Sequence, residues 1–160
     1  MNPTGTVVVG VDGSPESRAA IEFAMREATR RQAWLRIIAA AQLPEYWTIA
    51  YGTSDMPSPE EVIADAKRVA RQTLDDVVSA HPELADVEFG IESIAGPPGP
   101  VLVAASDGAD LLVLGHRGRG AVRSAFLGSV GLHCVLHATC PVTIVRPAAV
   151  AEQAPLVAQL

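Results

Sequence analysis

Residues 110–146, DLLVLGHRGRGAVRSAFLGSVGLHCVLHATCPVTIVR, constrain the fold more than any other part of the chain. The segment opens with an apolar run, Leu111 to Leu114, that reads as a buried strand. A loop carrying Gly115, Gly118 and Gly120 among arginines follows. Gly128 and Ser129 then lead into an apolar helix, and Pro141 opens a β-branched strand over Val142 to Val145. Strand, glycine loop and helix start together make an anion cradle. Backbone N–H groups converge there, the helix N-terminus carries partial positive charge, and glycine admits close approach.

The upstream sequence supplies the scaffold for this unit. Thr6 to Val11 (TVVVGV) is nearly all β-branched, as in a central parallel strand covered on both faces. It runs into Asp12-Gly13-Ser14-Pro15, where Ser14 caps a helix and Pro15 takes its first position. That helix reaches about Arg31, with Ala20, Ile21, Ala24 and Ala28 inward, and Trp34 to Ala41 forms a second strand. The connection 42–58, with Tyr46, Trp47 and Tyr51, is long enough to be either a surface excursion or a lid. Ser58-Pro59 starts a second long helix, whose stripe Val62, Ala66, Val69, Thr73 and Val77 runs to about Ala80. Val87 to Ile94 alternates as an edge strand with one wet face, Gly96 to Pro100 reads as a rigid turn, and Val101 to Ser106 as a short helix.

Strands that alternate with helices in this way predict one α/β domain over residues 1–147, a doubly wound, Rossmann-like parallel sheet of five strands with about four helices. Ligands of such sheets lie beyond the C-terminal ends of the strands, where strand order reverses. The first strand ends at Asp12 and the fourth at Gly115, so an order of 3-2-1-4-5 puts the switch point between them. The tail, 148–160, is Ala-rich and weakly periodic, either disordered or docked on a partner.

A net charge of −6 argues against nucleic acid or an anionic membrane as the main partner. No apolar stretch approaches the roughly 20 residues that span a bilayer. The first strand begins too early to leave room for a signal peptide, and Cys134 and Cys140 do not make a secreted disulfide framework. A cytoplasmic protein is the expectation.

The glycine spacing excludes two familiar phosphate motifs. GxxxxGK[ST] is absent, and no GxGxxG follows the first strand. What is present is Gly115-x2-Gly118-x9-Gly128-Ser129, directly after a strand and ending at a helix start. With VVVGVDGS near the start, GPPGPVLVAASDGADLLVLGHRGRG in the middle and LGSVGLHCVLHATCPVTIVRP at the end, the chain resembles the universal stress protein family, in its ATP-binding branch, over about residues 5–147. The resemblance implies the 3-2-1-4-5 fold, bound ATP with Mg2+ held through its phosphates, and a homodimer formed by the last strand.

Carried onto this sequence, the family's site comprises Gly10, Val11, Asp12, Ala40, Leu114, Gly115, Arg117, Gly118, Gly128, Ser129 and Val130. Asp12 would hold ribose or a metal-bridged phosphate, and the backbone near Ala40 would face the adenine edge. Gly115 and Gly118 would line ribose and phosphates, and Gly128, Ser129 and Val130 would offer N–H groups and a hydroxyl to the phosphate chain. His116 departs from the family pattern, in which many members carry serine.

The residues leave some roles open. Arg117, Arg119 and Arg123 either pair with phosphates or stand solvated on the loop. His133 and His137, four apart on one helix, make an incomplete metal set without a second cluster. No nucleophile–base pair is evident, and His116 is the one candidate base near the site, so at most weak ATP hydrolysis is expected. The functional expectation is an ATP-binding stress-response regulator, against two alternatives, a slow ATPase and a nucleotide-free dimeric interaction module. Pairing of Val142 to Val145 with a twin strand would remove an exposed sheet edge, which favours the dimer in either case.

Overall fold

The computed structural model describes residues 3–43, 57–118 and 127–147. Five strands, β1 (Thr6–Gly10), β2 (Trp34–Ala41), β3 (Phe89–Ala95), β4 (Leu111–Gly115) and β5 (Val142–Val145), form one parallel sheet in the order β3-β2-β1-β4-β5. Four helices alternate with them: α1 (Pro15–Arg31), α2 (Pro59–Ala80), α3 (Pro98–Ala105) and α4 (Ser129–His137). The chain steps from β1 to β3 in one direction and then through β4 to β5 in the other. Right-handed crossovers therefore lay α1 and α2 on one face of the sheet and α3 and α4 on the opposite face.

The side-chain alternation of the strands feeds two cores. Val7, Val9, Leu35, Ile37, Leu111 and Val113 pack with Ile21, Met25 and Leu74 under α1 and α2. Val8, Ile38, Leu112 and Leu114 pack with Leu102 and Cys134 under α3 and α4. Because β1 has neighbours on both sides, Val7, Val8 and Val9 are wholly buried. That explains the unbroken β-branched run. Burial also pushes the Cys134 thiol up to about 11, with Cys140 adding to the effect, so Cys134 behaves as a small core residue.

One local expectation changes. The rigid turn at 96–100 is in part helix: α3 begins at Pro98, not Val101. Pro98 and Pro100 both fall in its first turn, where the missing N–H groups have no helical acceptor to lose. Gly96 supplies the preceding turn with a φ of +140°. The wet face of the edge strand β3, in turn, is crossed by an ion pair. Glu92 is clamped by both its oxygens to Arg36 of β2, at 2.8 and 3.0 Å, and Arg36 also donates to the Ala105 carbonyl at the end of α3. The guanidinium holds the Glu92 carboxyl below its usual range. Among the described residues no helix is long and apolar enough to cross a membrane.

Candidate functional site

The C-terminal ends of β1 and β4 lie side by side and open into a cavity of about 710 Å3. At the β1 end, the Asp12 Oδ1 accepts from the Ser14 N–H at 2.9 Å and Gly13 turns with a φ of +81°. Ser14 then caps α1, its hydroxyl accepting from the Ser17 N–H at 3.1 Å. This turn holds the Asp12 carboxyl at the cavity wall.

At the β4 end the chain is stitched on both sides of the loop. The His116 N–H donates to Val145 O at 2.8 Å, and the His116 carbonyl accepts from the Gly128 N–H at 3.2 Å. Loop start and helix start are thereby held against each other. Gly118 lies against Asp12: a Cβ there would stand 2.6 Å from Asp12 Oδ2. A side chain at that position would displace the Asp12 carboxylate.

The site glycines have different reasons to be glycine. A Cβ on Gly115 would come within 2.8 Å of the Glu16 backbone, and one on Gly10 within 2.9 Å of Leu102 and Leu114. Both are required by packing of the protein itself. Among the described residues a Cβ on Gly128 would meet nothing closer than 3.5 Å, and its φ of −62° is open to any residue. Unlike Gly10 and Gly115, it is not fixed by the packing of the described residues.

Gly128 is the N-cap of α4 and has no side chain to close it. The N–H groups of Ser129, Val130 and Gly131 have no acceptor within the helix, and all three residues line the cavity. The expectation that Gly128 itself offers an N–H is corrected, since that group is spent on the His116 carbonyl. Arg117 also lines the cavity, and its Nε is buried without a partner among the described residues. The His116 ring receives a contact from Arg146 Nη2 at 3.1 Å. Arginine has only donors, so Nε2 accepts and Nδ1 carries the proton. Removal from water, Arg146 and Arg117 lower the His116 pKa from its ordinary value, with Glu16 opposing.

All eleven residues expected at the site line this one cavity, from Gly10, Val11 and Asp12 through Ala40 to Ser129 and Val130. Its α4 side is polar, with the open helix end and Arg117. The side toward β2 is closed by Val62, Ala66 and Val69 of α2, with Asp65 and Gln42 beside them. That wall escaped the sequence reading, which gave these residues only as part of a helical stripe running to about Ala80. Only its second half, from Ala70 to Val77, is core. The half-burial of the first half, which faces the cavity, has no sequence signal of its own.

Arg119, Arg123, the aromatic connection and the tail lie outside the described residues. His133 and His137 stack at 4.3 Å, with His137 Nδ1 bonded to the His133 carbonyl. The His133 ring sits where a side chain on Gly99 would be. Among the described residues no group of three metal-ligating side chains converges.

A family model described as the universal stress protein family matches residues 3–146. The chain belongs to this family. A universal stress protein of Mycobacterium tuberculosis strain H37Rv is 33% identical over 156 residues, which cover 89% of this chain and 49% of that protein. The chain thus spans about half the length of the curated relatives it matches. Among solved structures, the universal stress protein UspA from Lactobacillus plantarum superposes with a TM-score of 0.66 at 23% identity, covering 91% of this chain and all of that one. A universal stress protein in complex with cAMP superposes at 0.64 and 26% identity, covering 88% and 96%.

Proposed function

We propose that this universal stress protein binds ATP in the cavity at the ends of β1 and β4 and acts as a cytoplasmic regulator whose state the nucleotide sets. The observation that carries the reading is the N-terminus of α4, which has no side-chain cap and, among the described residues, leaves its first N–H groups open to a cavity also lined by Arg117 and Gly118. Three backbone donors, the Ser129 hydroxyl and a helix dipole suit a phosphate chain. The apolar wall of Val62, Ala66 and Val69 beside the Ala40 backbone suits the flat adenine ring. Asp12, between the two, suits ribose hydroxyls or a metal-bridged phosphate. Bound Mg2+ would neutralise phosphate charge, and Asp12, whose carboxyl lines the cavity, would face its water shell. The cyclic AMP carried by the structural neighbour supports an adenine nucleotide and makes the number of phosphates an open variable.

Dimer formation through β5 belongs to the same proposal. β5 is an edge strand, half-buried along its length, and a second copy would satisfy its open side. His116, held as an acceptor by Arg146, is poorly placed to serve as a strong base, which supports a binding role over rapid turnover. Calorimetric titration of the nucleotide-stripped chain with ATP and Mg2+, ADP, AMP and cyclic AMP tests the reading. Saturable binding of at least one, abolished in Gly118→Glu, is the expected result. Absence of heat with all four would sink it and favour the nucleotide-free interaction module.

A further inference from the structure

We infer that His116 takes up a proton when a phosphate-bearing ligand fills the cavity, so that binding at this site is coupled to pH. The inference rests on the nucleotide reading and adds a regulatory input to it.

The parallel register is what creates the device. Gly115 pairs with Val145, so the residues that follow them, His116 and Arg146, emerge together at the end of β4 and β5. Their contact is 3.1 Å, and Arg117 comes from the loop on the other side. Glu16, in the first turn of α1, is the acidic group among the described residues that raises the ring's proton affinity, and Asp12 lines the same cavity. Two guanidinium groups against one carboxylate leave a net positive field, and the ring is half withdrawn from water. Both effects keep the empty site's imidazole neutral near pH 7, with Nε2 occupied as acceptor.

His116 and Arg117 line the same cavity as the open end of α4. A phosphate drawn to that helix end brings at least one full negative charge beside this cluster. One added negative charge cancels the excess of the guanidinium pair over Glu16, and the further charges of ATP reverse the sign of the local field. A proton from the solvent adds to Nε2, the Arg146 N–H leaves that nitrogen, and the imidazolium and Arg146 become two donors facing the anion. A serine at this position would lack the response, since it has no proton to gain in this range.

Linkage fixes the sign. A proton gained on binding makes the complex tighter as pH falls through the bound-state titration of His116, and the effect levels off once the empty site is protonated as well. The test is calorimetric titration of the full chain with cyclic AMP and with ATP at pH 6.5, in MES and in imidazole buffers, whose ionisation heats differ. Cyclic AMP is the cleaner probe because its phosphodiester does not titrate near neutrality. With ATP, whose terminal phosphate does, the difference between native and variant is read.

The expected result is an uptake on the order of 0.3–0.5 proton per site, with affinity rising roughly three- to tenfold between pH 8 and pH 5.5. The uptake is lost in His116→Asn and reduced in Arg146→Gln, which weakens the field opposing protonation. Should His116→Asn prove unable to bind, the Arg146→Gln comparison decides. Binding with no uptake in the native chain overturns the inference and leaves the nucleotide site intact. Uptake that persists unchanged in both variants overturns it equally. No binding of either nucleotide removes the site and the inference together.

Discussion

The helices α1 and α4 both follow strands that end at the cavity, yet their N-termini are finished in opposite ways. α1 is closed on itself: Ser14 accepts from the Ser17 N–H, Ser17 returns its hydroxyl to Ser14 O, and Pro15 removes one of the loose donors. α2 is sealed likewise by the reciprocal pair Ser58 and Glu61. α4 has glycine at the same position and leaves its first N–H groups without a side-chain acceptor. Of the four strand-to-helix units, α1 and α2 have side-chain caps and α3 and α4 have none. In α3, Pro98 and Pro100 remove two of the loose donors, whereas α4 keeps its donors on the cavity wall, where a ligand can supply the missing acceptor. A broken local rule next to an open site is where function is written.

The most direct way to break the contrast is to give α4 the cap that α1 has. Gly128→Asp should raise helix stability slightly, by a few tenths of a kcal/mol, because aspartate caps only a little better than glycine. Nucleotide affinity should fall by more than about a hundredfold, as a carboxylate replaces the phosphate on the same N–H groups. Gly118→Glu should have a comparable effect on affinity by another route, setting a second carboxylate against Asp12. Parallel thermal melts and calorimetric titrations of the two variants measure both quantities.

Gly115→Ala comes next and falls on stability. Its methyl group would press on the Glu16 backbone, and about 1–3 kcal/mol should be lost in chemical denaturation. Gly128→Ala, with room for its methyl group, should change stability by less than ~1 kcal/mol while weakening nucleotide binding about tenfold. If the two glycines exchanged these phenotypes, the distinction between packing glycine and ligand glycine would be wrong. Ser14→Ala should then cost roughly 1 kcal/mol of stability. Its nucleotide affinity should change less than that of Gly128→Ala, since the Ser14 cap serves the helix alone.

The smallest effect is a pH dependence of the ligand-free chain. The folded pKa of His116 lies below its unfolded value, so between the two the unfolded chain binds more protons. Stability from this residue is present above the unfolded value, near pH 6.5, and declines as pH falls through the window beneath it. His116→Asn should flatten that slope in denaturation curves taken from pH 7.5 to 5.

Much of this was legible in the sequence because it rests on local chemistry. The β-branched run of β1, the Ser-Pro starts of α1 and α2, and the glycine spacing after β4 each state a backbone requirement in residue types. The crossover rule then converts their order into the 3-2-1-4-5 sheet and its switch point. What was not legible depended on where elements meet. Nothing in Val62, Ala66 and Val69 distinguishes a cavity wall from core, since both want a small apolar stripe on α2. Pro98 and Pro100 read as a turn because proline opposes helix everywhere except in the first turn, and only the structure shows that first turn. The pairing of His116 with Arg146 follows from the β4–β5 register, which joins residues 30 positions apart.

The decisive measurement is calorimetric titration of the nucleotide-stripped full chain with ATP and Mg2+, native against Gly128→Asp, with a thermal melt of each. The open helix end predicts saturable binding by the native chain and none by the variant, whose melting temperature is equal or higher. Equal affinity in two equally folded proteins would contradict it, because the N-terminus of α4 would then not be what holds the nucleotide.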